Sequence, residues 1–134
     1  MLTDFFEKLT DIPHAPLQDE EVYVYYDGPR LGTLKTVNEN LFYLYSSIEE
    51  NDGEGYAFLF VLLTTERLGL LRSGEISLYN IFKEADAGNV FRVSDVEHST
   101  GWQLQVTSVI PALIEDDDLA TPGLYLFDGI IMPK

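Results

Sequence analysis

Apolar and polar positions alternate with a period of two through most of the first half of the chain, and that alternation predicts strands. In EVYVYYDG, Val22, Val24 and Tyr26 share one face and Tyr23 and Tyr25 the other, and the residues are the β-branched and aromatic types that suit a pleated surface. Asp27-Gly28-Pro29-Arg30 breaks the run, because proline fixes its backbone and lacks an N–H while glycine accepts positive φ. LGTLKTV (31–37) resumes the pattern and stops at Asn38-Glu39-Asn40. LFYLYSSI (41–48) and YAFLFVLLT (56–64) follow, joined by EENDGEG, where Gly53 and Gly55 permit a hairpin. The last run is almost wholly apolar, as in a central strand covered on both faces. Residues 21–64 therefore predict an antiparallel meander with Tyr56 to Leu63 near its middle.

Elsewhere the period changes. Leu2, Phe5, Phe6 and Leu9 recur at helical spacing, which predicts an N-terminal helix capped by Thr3 or Asp4 and ended before Pro13. Pro13 to Gln18 reads as a loop. Between 65 and 86 two short helices are expected, one capped by Thr64 or Thr65 and stopped by Gly74, the other capped by Ser77 and closed by Gly88. Further strands are expected at 89–96, 101–110 and 124–131, the last as one strand or as a pair of short extended segments. In the second, Trp102, Leu104, Val106 and Ser108 share one face and Gln103, Gln105, Thr107 and Val109 the other. The predicted class is α+β: one domain, a twisted antiparallel sheet and three short helices.

Composition changes this picture mainly through charge. The 134 residues carry a formal charge of −15, well past the magnitude of roughly 2–8 that suits a small domain. At 46% hydrophobic the chain is too apolar for disorder. Eight basic residues without a run disfavour binding to nucleic-acid phosphates. The absence of cysteine removes disulfides and thiolate zinc sites. The first residues lack a signal-peptide pattern and no apolar run is long enough to span a bilayer, so a soluble cytoplasmic protein, with no membrane partner, is the expectation.

Candidate chemistry is sparse. His98 with Ser99 and Asp95 contains the residue types of a nucleophilic triad, but they occupy one local loop without a strand-to-helix elbow, and a solvated loop histidine is the simpler reading for His98 and for His14. Glu50-Asn51-Asp52-Gly53-Glu54-Gly55 resembles the start of a calcium loop, yet the position that needs a bidentate glutamate is Val61. No phosphate-binding glycine loop is present, and no catalytic residue, cofactor or metal is expected.

YYDGPRL (25–31), followed by an apolar strand and then by TTERLGLLRSGEISLYNIF (64–82), resembles a small bacterial family known only as a domain of unknown function. The resemblance implies a stand-alone bacterial cytoplasmic protein and transfers no activity.

Two functional readings follow. The first is a non-enzymatic binding or regulatory protein, of an immunity or inhibitor kind, that docks on a basic protein. Its surface would comprise Asp19, Glu20, Glu21, Tyr23, Tyr25, Glu49, Glu50, Asp52, Glu54, Glu115, Asp116, Asp117 and Asp118. Acidic clusters select basic partners and speed their arrival, and tyrosine is enriched in interfaces. The second is a small-ligand-binding domain or enzyme with a pocket between sheet and helices, contacted by Arg30, Tyr25, Trp102 or His98. Self-association through an uncovered sheet edge such as Gly101 to Ile110 is a third possibility.

Overall fold

Strand pairing between sequence neighbours accounts for nearly all of the architecture. A computed structural model describes residues 6, 9–25, 29–48, 57–98 and 101–133. Six strands, β1 (Leu17–Tyr25), β2 (Pro29–Thr36), β3 (Phe42–Ile48), β4 (Ala57–Leu63), β5 (Val90–His98) and β6 (Gly101–Ser108), lie in chain order in one antiparallel sheet. Two helices, α1 (Thr65–Arg72) and α2 (Leu78–Lys83), connect β4 to β5, and a separate hairpin, β7 (Leu124–Phe127) and β8 (Ile130–Pro133), follows two short 3-10 turns.

This is a β-rich fold, and it corrects the expected α+β class with an N-terminal helix: the described residues hold eight strands and two helices of eight and six residues. Of the expected N-terminal helix, Phe6 is helical and residues 9–12 are not, and its other positions lie outside the described residues. Both later helices are too short to form a layer of their own. α1 starts where the Thr64 side chain accepts from the Arg67 N–H at 3.2 Å, and α2 where Ser77 accepts from the Asn80 N–H at 3.0 Å. Gly74, at φ 76°, ends α1 with the Glu75 N–H returning to the Leu70 carbonyl at 3.0 Å. α2 stops at Lys83, five residues before the glycine expected to close it.

Three further corrections concern strands. β1 begins at Leu17, so Leu17 and Gln18 of the expected loop pair with Thr36 and Lys35, and Asp19 and Glu21 pair with Leu34 and Thr33. The ladder overrides the poor strand propensity of Asp and Glu. Register shifts between Val22 and Val24 and between Val24 and Tyr25 break the expected alternation: Tyr23 and Val24 pack on the same core, leaving Val22 half-exposed. Third, 124–131 is not a strand of the main sheet. Asp128 and Gly129, both at positive φ, turn it into a hairpin of its own.

The sheet buries both faces. Leu31, Leu44, Leu59, Val61 and Leu63 face α1, α2, Ile114 and Leu126. The other face presents Leu34, Tyr43, Tyr45, Phe58, Phe60, Phe91 and Val93 to Phe6, Leu9 and Ile12 of the N-terminal segment. Tyr43 and Tyr45 belong wholly to this core.

Candidate functional site

The acidic residues singled out from the sequence separate into groups with different surroundings. Asp19, Glu20 and Glu21 are exposed on β1, the edge strand. Arg72, in the last turn of α1, reaches across to them. Its Nη2 donates to Glu20 Oε1 at 2.6 Å and pairs also with Glu21. Burial alone would lower the affinity of Arg72 for its proton, but Glu20 and the Tyr23 hydroxyl outweigh it and hold the guanidinium charged. Burial likewise raises the Tyr23 hydroxyl above its usual range, an effect that Arg72 offsets in part and Glu21 reinforces. Two of the three acids therefore stabilise the junction of α1 with the sheet. Tyr25, at the end of β1, is 72% exposed.

Glu115, Asp116, Asp117 and Asp118 occupy a loop of two 3-10 turns, Pro111–Leu113 and Asp116–Asp118, and this loop is braced against α2. Lys83 Nζ donates to the Ile114 carbonyl at 2.6 Å, the Tyr79 hydroxyl donates to Asp116 Oδ1 at 2.8 Å, and Ile114 is buried beneath. The hydrogen bond to Asp116 keeps the Tyr79 hydroxyl above its usual range. Glu49, Glu50, Asp52 and Glu54, and with them the calcium-like loop, lie outside the described residues, as do Asp27 and Ser99.

A cavity of about 280 Å³ opens where this braced loop passes over the sheet. Val24, Leu31, Leu78 and Phe82 form its apolar walls, Arg30, Ser46 and Ser47 line it from the sheet, and Asp117 and Asp118 line it from the loop. One cation and two carboxylates give the lining a formal charge of −1. Arg30 is thus the one residue of the expected pocket that the described structure places at a cavity. Tyr25 is not in its lining, and the side chains of Trp102 and His98 lie outside the described residues. The signals available in the sequence were the two small polar residues, Ser46 and Ser47, near the end of an otherwise apolar strand.

His14 is held in its loop by Glu39, whose Oε2 lies 2.9 Å from Nδ1. Among the described residues no group of three or more His, Asp or Glu side chains is placed to hold a metal ion, and no helix is long and apolar enough to cross a membrane. No protein-family model, curated protein or solved structure matches the chain.

Proposed function

We propose that this chain is a non-enzymatic binding protein of the bacterial cytoplasm that docks on a basic protein. The net charge of −15 carries the reading. A charge of that size costs stability through self-repulsion, and a basic partner relieves it on binding. The loop at Glu115–Asp118 is the favoured contact. Its carboxylates are displayed on a segment already braced by Lys83 and Tyr79, so little ordering is lost when a partner arrives. The adjoining cavity suits a lysine or arginine side chain, with the aliphatic stem against Val24 and Phe82 and the charged end near Asp117.

Capture from a nuclease-treated bacterial lysate, washed in parallel at low and high salt, tests this. A basic protein is expected to stay at low salt and to leave as the Debye length falls from ~30 Å to ~10 Å between 0.01 and 0.1 M salt. Its affinity is expected to fall in the variant Glu115→Gln/Asp117→Asn/Asp118→Asn, which keeps Asp116 for Tyr79. Binding that ignores both salt and these substitutions overturns the reading. A second reading, a small ligand held in the same cavity, draws on its mostly apolar walls with Arg30 as the polar anchor. An Arg30→Met variant that loses a small-carboxylate thermal shift while keeping partner capture would favour it.

A further inference from the structure

The two edges of the six-stranded sheet are built in opposite ways. β1 carries three successive carboxylates and three register shifts against β2, devices that discourage a further strand. β6, GWQLQVTS, has no charged residue, no proline and an unbroken register against β5 from Gly101 to Ser108. Among the described residues, β6 has a strand neighbour on one side only. The Val109 N–H donates to the Val90 carbonyl at 2.9 Å. Antiparallel ladders alternate, so Thr107 and Gln105 also turn their backbone groups to β5, and Leu104, Val106 and Ser108 turn theirs outward.

We infer that β6 pairs with β6 of a second copy, antiparallel about a two-fold axis, joining two sheets into one. Such an axis, perpendicular to the sheet, keeps each face on its own side. Centred at Val106, it sets Val106 against its twin, Leu104 against Ser108, and Gln105 against Thr107. The half-buried Leu104 and Val106 then continue the apolar face of one protomer into that of the other, and the exposed Gln105 and Thr107 meet polar side chains. The strand is therefore complementary to itself, as an isologous contact requires. Charge selects the same edge. Two chains of −15 repel, and β6 is the sheet edge that brings no carboxylate to the contact. Ile110 and Leu113, 61% and 72% exposed just beyond the strand, extend the apolar border.

The salt dependence separates this contact from docking on a basic partner. Screening weakens attraction between opposite charges but relieves repulsion between like-charged copies, so self-association through β6 strengthens with salt. Light scattering on the purified chain over a wide concentration range is expected to move from 15.2 kDa toward twice that mass, at lower concentration in high salt than in low. Ser108→Pro removes one outward N–H on an exposed residue without touching the bonds to β5, and is expected to weaken the dimer about tenfold. Thr107→Glu is expected to weaken it at low salt and to recover at high salt. Because the chain lacks cysteine, mixing Gln105→Cys with Thr107→Cys under mild oxidation should give a crosslinked pair containing one of each. A mass of 15.2 kDa at every concentration in high salt overturns the inference. So does a dimer left intact by Ser108→Pro when circular dichroism shows that variant folded.

Discussion

On the helical face of the sheet, Leu44, Val61 and Leu63 meet mostly aliphatic side chains, with Phe82, from two helices and a hairpin. On the opposite face, five aromatic rings of the sheet meet one N-terminal segment carrying Phe6, Leu9 and Ile12. The difference reflects what each cover supplies. Helices and a hairpin bring Leu68, Leu71, Leu78, Ile81 and Leu126, enough volume to fill the space between layers with branched side chains. A single segment brings little, so the sheet fills the gap from its own side with large rings. Phe6 lies 4.7 Å from the Tyr45 ring, and Phe58, Phe60, Tyr43 and Phe91 continue the cluster in edge-to-face and tilted pairs at 5.5 to 6.4 Å. The Tyr43 hydroxyl donates to the Pro13 carbonyl at 2.8 Å and ties the segment down.

Truncating Phe60 should have the largest effect. Phe60→Ala is expected to cost about 3–5 kcal/mol, because Phe60 touches Phe6, Tyr43, Tyr45 and Phe58 and no thicker layer exists to collapse into the void. Leu71→Ala, on the helical face, should cost about 2–5 kcal/mol and fall below it. Urea unfolding of both variants ranks the two faces, and a larger loss at Leu71 would erase the distinction drawn between them.

Gly32 tests how tightly the aromatic face is closed. A Cβ there would fall on the Glu21 carbonyl oxygen and on the Tyr45 hydroxyl, so Gly32→Ala is expected to cost about 1–3 kcal/mol. Adding Tyr45→Phe should restore only part of the loss, since the Glu21 carbonyl remains. Full restoration would mean that β1 yields freely.

The smallest effects are read by pH. Burial raises the hydroxyls of Tyr43 and Tyr45 above their usual range. The unfolded chain releases these protons near pH ~10 while the folded chain keeps them, so stability is unaffected below that value and falls above it. The slope per buried tyrosine is at most about 1.4 kcal/mol per pH unit. Tyr43→Phe should flatten it and, at neutral pH, cost about 1 kcal/mol through the lost bond to Pro13. Denaturant midpoints between neutral and alkaline pH measure both.

Much of the local structure was legible because it depends on near neighbours. Alternating residues in LFYLYSSI and YAFLFVLLT marked strands, Thr64 and Ser77 marked helix starts, and Gly74 marked a stop. Asp128-Gly129 also carries a hairpin signal, and it makes 124–131 the pair of short extended segments rather than one strand. The candidate site was less legible. The acidic runs were visible, but not that Arg72 engages Glu20 and Glu21 while Asp117 and Asp118 turn toward a cavity with Arg30. Those partners lie tens of residues apart, and periodicity conveys nothing about such pairs.

By itself, then, the sequence determined most of where the chain extends, coils and turns, and how much negative charge it carries, since dihedral preferences and formal charge belong to individual residues and their immediate neighbours. Only the tertiary structure decided that the fold is dominated by β-structure, that β1 starts at Leu17, that Tyr43 and Tyr45 are core, and that one sheet edge is guarded while the other is plain. Each of these depends on which distant strand lies alongside, because pairing and burial are set by the balance of contacts over the whole sheet.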